Sequence, residues 1–395
     1  MKVLVIAPQP FFTPRGTPFS VYYRSLVTAQ LGHSIDLLTY GQGKDVAIPG
    51  LKLVRIPGFA KFGGIKVGPS IFKLFLDCFI VCYTIGMLLT EKYDVVHAHE
   101  EAVFFCRFLK PIFGYKLVYD MHSSLPQQLS NFEFTKSKLL VGIFKWLEDS
   151  CLKKADGVIT ICPDLADYVN KLLNNPSKHF LIENSIFEPI QLADTTAEPD
   201  QKTIKDGVQL PADGKYIVYA GTLEPYQGID ILVPAFRLFA EKFPGYKLVV
   251  VGGNPQQVKK YTDLADENGI SDNCLFTGQV SQASAKYYSS QATILVSPRK
   301  HGTNTPLKIY EQIASGIPLV ATRIYSHTQV LDDSVAFLVE PTPEAMAEGL
   351  ALATGQTGKD KAVQAQRLYN EKYAKTIYLD KMARLFAHIE NHPRV

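Results

Sequence analysis

No Asp-x-Asp pair occurs anywhere in the 395 residues, so the paired carboxylates that commonly hold a hard divalent cation are missing and no metal site is expected. No C-x-x-C pair occurs either. The six cysteines fall at 78, 82, 106, 151, 162 and 274, mostly inside apolar runs, which reads as reduced, buried thiols in a cytoplasmic protein. There is no low-complexity tract and no basic run interleaved with aromatics. With a net charge of only +3, nucleic acid is not an expected partner. What is there is 46% hydrophobic and 20% charged, a soluble globular composition on a chain long enough for two domains of ordinary size.

The opening Met1-Lys-Val-Leu-Val-Ile-Ala-Pro8 has one basic residue and a five-residue apolar run, which reads as a first strand and not as a secretory signal. Strands are expected at 2–7, 33–39, 51–56, 94–97, 116–120, 157–162 and 180–183. Helices fall between them at 18–31, 70–91, 101–109, 139–154 and 163–173. The stretch 184–215 lacks periodicity and reads as a linker with the lead-in to a second domain. Strands then return at 216–220, 247–251, 274–277, 292–297, 319–322 and 336–339, with a helix over 228–242, and 359–392 is helical in pattern. Such alternation predicts an α/β protein with parallel sheets covered on both faces. Ligands of such sheets gather beyond the carboxyl ends of the strands, where His99 and His122 lie.

Two segments invite a membrane. Cys78 to Leu89 runs twelve residues without a charge, within a helix at 70–91 too short and broken for a confident span. It reads as a crossover helix buried on its sheet, or as a face resting on a membrane. The loop 125–138 carries Phe132, Phe134, Lys136 and Lys138, a membrane-surface contact or a solvated loop.

The most informative stretch is Ser297 to Thr322. It reads as strand end, polar turn, helix, Gly316-Ile-Pro318 stop and new strand. Thr303, Asn304 and Thr305 are cap residues and Pro306 suits a first helical position. A helix opening after a polar loop has unpaired amides and a positive partial charge, a ready phosphate site. Arg299 precedes it, Lys308 lies in its first turn, and Glu311 follows where a ribose would be reached. The same residues also describe an ordinary capped helix with solvated charges.

This stretch resembles the donor motif of the retaining, family 4 glycosyltransferases: two glutamates separated by seven residues, then Ser-Gly-x-Pro-Val-Val-Ala. Glu311 matches the second glutamate and Ser315-Gly-Ile-Pro-Leu-Val-Ala321 the tail. The first glutamate, which contacts the transferred sugar in the family, falls on Thr303. The resemblance covers nearly the whole chain and implies a GT-B fold, with two Rossmann-like domains facing a central cleft. An acceptor domain over 1–185 would be joined by a C-terminal helix at about 373–395, and a nucleotide-sugar domain would span 186–372. It implies a metal-independent transferase with no cofactor beyond its nucleoside diphosphate sugar.

Residue by residue, the resemblance puts the diphosphate on the backbone of the stretch Asn304, Thr305, Pro306 and Leu307, and the ribose on Glu311. Gly16 and Thr17 fall on a Gly-Gly loop that approaches the phosphates. Gly221-Thr-Leu-Glu-Pro-Tyr-Gln-Gly228 aligns with a segment whose Arg and Lys grip the diphosphate, but here they are Thr222 and Gln227. Arg299 and Lys308 are the expected replacements. Gly252, Gly278, Gln279 and Val280 fall on donor loops, and His122 on a histidine near the reacting sugar. Arg15 and His99 are assigned to the acceptor side. The expected acceptor is a glycan or a lipid-linked sugar, with a small metabolite also open, and the expected setting is polysaccharide or glycolipid assembly in the cytoplasm, with peripheral contact at the inner membrane face. A nucleotide-sugar epimerase of the same fold, a two-lobed binding protein and a non-catalytic family member remain the alternatives.

Overall fold

The computed structural model describes residues 1–13, 16–58, 71–124, 138–173, 176–188, 190–193 and 209–391. The chain divides into two compact units, Met1–Thr196 with Lys375–Val395, and Ala197–Ala374. The expected boundary at 185/186 falls eleven residues short of that division.

The first unit is built on seven parallel strands in the order β3-β2-β1-β4-β5-β6-β7. These are β1 (Lys2–Ala7), β2 (Ser34–Thr39), β3 (Leu51–Arg55), β4 (Val95–His99), β5 (Lys116–Met121), β6 (Gly157–Thr160) and β7 (His179–Leu181). β1 pairs with β2 on one side and β4 on the other, so its apolar run is buried on both faces. Four helices cover one face: α2 (Ile71–Thr90), α3 (Ala102–Phe113), α4 (Lys138–Lys154) and α5 (Pro163–Leu172). Helix α1 (Gly16–Gln30) joins β1 to β2 and is buried from Pro18 to Thr28.

The expected segments survive with shifted ends. α1 begins at Gly16, two residues early, so Gly16 and Thr17 are its first helical residues and not part of the loop. A methyl on Gly16 would meet nothing within 4 Å, so packing does not demand glycine there. α3 runs on through Pro111 to Phe113 and stops at Gly114, whose left-handed φ of 69° suits glycine.

The second unit has six parallel strands in the order β10-β9-β8-β11-β12-β13. They are β8 (Lys215–Ala220), β9 (Tyr246–Val251), β10 (Cys274–Gly278), β11 (Ile294–Ser297), β12 (Leu319–Thr322) and β13 (Phe337–Val339). Between them lie α6 (Ile229–Lys242), α7 (Pro255–Glu267), α8 (Gln282–Ser290), α9 (Leu307–Ala314) and α10 (Tyr325–Thr328), and α11 (Pro343–Ala353) follows β13.

The helical tail is two helices, α12 (Gln356–Lys372) in the second unit and α13 (Lys375–Asn391) in the first. α13 buries Tyr378, Met382, Leu385, Phe386 and Ile389, an i, i+4, i+7, i+8, i+11 stripe. Leu379, beside the stripe, is only half-buried, and Tyr378 takes the core position.

Candidate active site

In the second unit the carboxyl ends of β8, β9, β10 and β11 are drawn together by glycines. Gly252 N–H donates to the Gly278 carbonyl at 3.0 Å, and a methyl on Gly252 would lie 2.0 Å from the Gly221 oxygen. Gly228 has φ 77°, and a methyl there would lie 1.9 Å from the Pro298 oxygen. Only glycine therefore lets the 221–228 turn approach the loop after β11.

Against that turn stands the first turn of α9. Lys308 Nζ lies 4.0 Å from the centroid of the Tyr219 ring and 3.5 Å from Gln227 Oε1. A methyl on Gly221 would come within 3.6 Å of the same amine. Gln227 Nε2 in turn faces Thr222 Oγ1 at 3.3 Å. Arg299 stacks over Tyr226 at 5.1 Å and donates to the His301 carbonyl at 2.9 Å. Neither cation has a carboxylate partner among the described residues. Burial, then the nearby Arg299, pushes the Lys308 amine down to about 7. Burial also lowers Arg299.

Glu311 keeps an open face to solvent yet is deeply surrounded by protein, and that surrounding raises its carboxyl to about 7. Below the site His327 is buried, its Nδ1 2.8 Å from the Thr322 carbonyl and its Nε2 3.0 Å from Ser297 Oγ. The carbonyl contact makes Nδ1 the donor and Nε2 the acceptor.

The mouth of α9 differs from the expected capped helix. Pro306 is the N-cap, extended at φ −64° and ψ 135°, and Leu307 is the first helical residue. No side chain caps it. Thr303 offers its carbonyl to Gln329, Asn304 its carbonyl to Arg299 at 3.4 Å, and Thr305 Oγ1 is buried without a hydrogen-bond partner. The first-turn amides thus lack the expected side-chain acceptors, and the Ile309 N–H donates instead to the Pro306 carbonyl at 3.0 Å. Gln279 is exposed and Val280 half-buried after β10.

In the first unit the ends of β4 and β5 form a buried polar network around Asp120. Arg24 Nε and His97 Nε2 each stand 3.0 Å from Asp120 Oδ2, and His122 Nε2 stands 3.3 Å from Oδ1. His99 Nδ1 is 3.0 Å from the same His122 nitrogen. Arg24 also donates to the Ile182 carbonyl at 2.6 Å and to the Tyr378 hydroxyl of α13. Burial would raise the Asp120 carboxyl, but Arg24 and the histidines hold it well below its usual range. Burial lowers His122 to about 4 and holds His99 well below its usual range, so both are neutral at pH 7. His97, His99 and Asp120 could also gather around a metal ion, but Arg24 already fills the carboxylate's cation position.

His99 is 1% and His122 4% exposed. The expected place of His99 is the acceptor side; it lies instead inside this network, with a buried Nε2 that has no partner. Arg15 lies outside the described residues, as do Phe132, Phe134 and Lys136.

Residues 16–186 match the family described as Glycosyltransferase Family 4, and residues 200–373 match Glycosyl transferases group 1. This chain belongs to the family 4, group 1 glycosyltransferases. Among relatives of this glycosyltransferase, one component of the phosphatidylinositol N-acetylglucosaminyltransferase of Arabidopsis thaliana is 25% identical, over 89% of this chain and 74% of the relative. The phosphatidyl-myo-inositol mannosyltransferase of Mycolicibacterium smegmatis is 21% identical over 89% and 83%. In fold, sucrose-phosphate synthase from Thermosynechococcus elongatus superposes with a TM-score of 0.73 at 18% identity, covering 98% and 99% of the two chains. Anabaena HepE in complex with UDP gives 0.71 at 14%, covering 98% and 100%. The architecture is α/β of the GT-B type.

For this glycosyltransferase the structure gathers Gly221, Thr222, Gln227, Gly252, Gly278, Arg299 and Lys308 at one end of the second sheet. Gly16, Thr17, His99 and His122 belong to the first unit. Sequence reasoning missed Asp120, His97, Arg24, Tyr378, Tyr219 and His327. One signal was available: a carboxylate near the end of the strand Lys116–Met121, where residues 117–119 and 121 carry no charge, which a buried strand tolerates only if it is paired.

Proposed function

We propose that this glycosyltransferase is a retaining, metal-independent hexosyltransferase that moves a sugar from a nucleoside diphosphate donor to an acceptor hydroxyl. One observation carries the reading. The Lys308 amine lies beside Gln227, the position where the family has a diphosphate-gripping lysine, and no carboxylate in the described chain neutralises it. A lysine has in effect moved from the turn after β8 to the helix facing it. With Arg299, it supplies the positive charge that a departing diphosphate requires.

In this reading the donor binds on the second unit. The first-turn amides of α9, Lys308 and Arg299 hold the diphosphate, Glu311 accepts the ribose hydroxyls, and the Gly278–Val280 turn meets the base. Transfer breaks the bond between the anomeric carbon and the diphosphate oxygen. The acceptor hydroxyl forms the new bond on the same face, and its proton passes to the departing diphosphate. The acceptor binds on the first unit. His122 orients the reactants there as a neutral imidazole; its Nε2 is already committed to the protein, so Asp120 and His99 fix its ring. The relatives that act on phosphatidylinositol lipids favour a lipid-linked or glycan acceptor, used on the cytoplasmic side of a membrane.

The test is to incubate the purified chain, with and without a chelator, with UDP-, GDP- and ADP-sugars and follow nucleotide release. Acceptor-dependent release with an unchanged anomeric configuration supports the proposal. Isomerised donor without release would replace it with an epimerase, and bound donor without turnover with a non-catalytic member.

A further inference from the structure

The helices covering one face of the first sheet carry a surface that neither the fold nor the donor site uses. α2, α3 and α4 pack inward on one core, α2 through Leu76 and Ile80, α3 through Val103, and α4 through Cys151 and Leu152. Facing only water, their outer sides would be polar. They are not. Of the twelve large apolar side chains exposed among the described residues, nine lie on these helices: four on α2, two on α3 and three on α4. Leu89 of α2 and Ile112 of α3 are each 72% exposed, and Trp146 of α4 is 65% exposed. On α4, Leu139, Ile143 and Trp146 recur at i, i+4 and i+7 and, with Gly142, line a shallow apolar depression. A soluble monomer rarely leaves so many large apolar side chains exposed on one layer of helices.

The charges of this layer are sorted by side. Its carboxylates turn inward: Tyr40 donates to Asp77 at 2.5 Å, Ser124 to the buried Glu148 at 2.8 Å, and Tyr168 to Asp149. Outward stand Lys153 and Lys154, exposed at the end of α4 and without an ion pair among the described residues. Lys145 is also outward, sharing Asp149 with Tyr168. α2 is long and apolar enough to cross a bilayer, yet its inner side is committed to the sheet. That geometry suits lying on a membrane and not crossing it.

We infer that the outer face of α2, α3 and α4 docks on an anionic lipid bilayer. Its exposed aromatic and aliphatic side chains enter the boundary between headgroups and acyl chains, and its lysines meet acidic headgroups. This surface is separate from the donor site, so failure here leaves the transferase reading standing.

Trp146 is the only tryptophan in the chain, so its fluorescence reads the face directly. The full-length protein is titrated with phosphatidylcholine vesicles, with or without phosphatidylglycerol. The expected result is a blue shift and quenching by brominated acyl chains, stronger with phosphatidylglycerol and weakened by salt. Each basic side chain near an anionic surface is worth about 1 kcal/mol, so K153Q/K154Q should weaken partition roughly thirty-fold. L89E on α2 should abolish most of the shift while the first unit's cooperative thermal transition, as the check on folding, is retained. Alkylation of the exposed thiols of Cys78 and Cys82 should slow on the same vesicles. Tryptophan emission unchanged by phosphatidylglycerol vesicles would overturn the inference. So would a blue shift that grows with protein concentration in the absence of lipid, which would make the face a contact between copies.

Discussion

Lys308 and Glu311 face opposite demands from one ligand. A free Lys308 sheds its proton as pH rises through about 7, whereas a bound diphosphate holds that proton on. The complex then binds more protons than the free protein above neutrality, so affinity falls as pH rises. Glu311 runs the other way. Ribose hydroxyls favour its carboxylate, so the complex releases a proton below about 7 and affinity falls as pH drops. Nucleotide-sugar binding, followed by calorimetry, is therefore expected to be bell-shaped and centred near neutrality, since the sugar diphosphate itself has no ionisation there. E311Q should remove the acid limb and K308M the alkaline limb. Hydrogen bonds to charged groups are worth about 1.5–3 kcal/mol, so K308M should also weaken binding roughly 10- to 150-fold. Adding Q227K to K308M should restore part of that loss by returning an amine to the other side of the same gap. No recovery would mean that the two positions do not serve one ligand.

Two joints decide whether the elements can hold these residues. The 221–228 turn reaches the loop after β11 only because residue 228 has no side chain. G228A should force Pro298 away and displace Arg299 and Lys308 together, with nucleotide-sugar affinity falling and the thermal midpoint of the second unit dropping. The second joint is Asp120. Y378F removes one partner of Arg24 and should cost about 1–3 kcal/mol in chemical denaturation, whereas R24M leaves a buried carboxylate without its cation and should cost about 3–5 kcal/mol.

The elements themselves were legible in the sequence because apolar runs and breaker residues are local signals. Of the candidate site, the approach of Lys308 to Gln227 was legible, because two absent basic residues at Thr222 and Gln227 pointed to substitutes at Arg299 and Lys308. The Asp120 network was not, since Arg24 and Tyr378 lie 354 positions apart and nothing local marks their meeting. The capping residues misled for a different reason. Thr303 and Asn304 carry the right side chains, but their carbonyls are drawn to Gln329 and Arg299, and Pro306 takes the N-cap with no side-chain acceptor to offer its amides.

At the scale of the whole molecule, α13 is the element that the order of the chain would least suggest. It follows the second unit in sequence and completes the first, supplying the apolar stripe from Tyr378 to Ile389 and an ion pair from Lys381 to Glu183 at 2.6 Å. Truncation after Ala374 should expose the underside of α1 and leave Arg24 without Tyr378. The expected outcome is loss of the first unit's cooperative transition in calorimetry, with nucleotide-sugar binding by the second unit retained. Intact behaviour of both would show the helix to be dispensable.

Synthesis on the ribosome meets the same arrangement from the other direction. Seven strands emerge early, yet the helix that seals them arrives only after everything in the second unit has been translated. During that interval a half-finished α/β layer waits with an open seam and an ionised guanidinium inside it, a species on which chaperones and proteases can act before the catalyst exists.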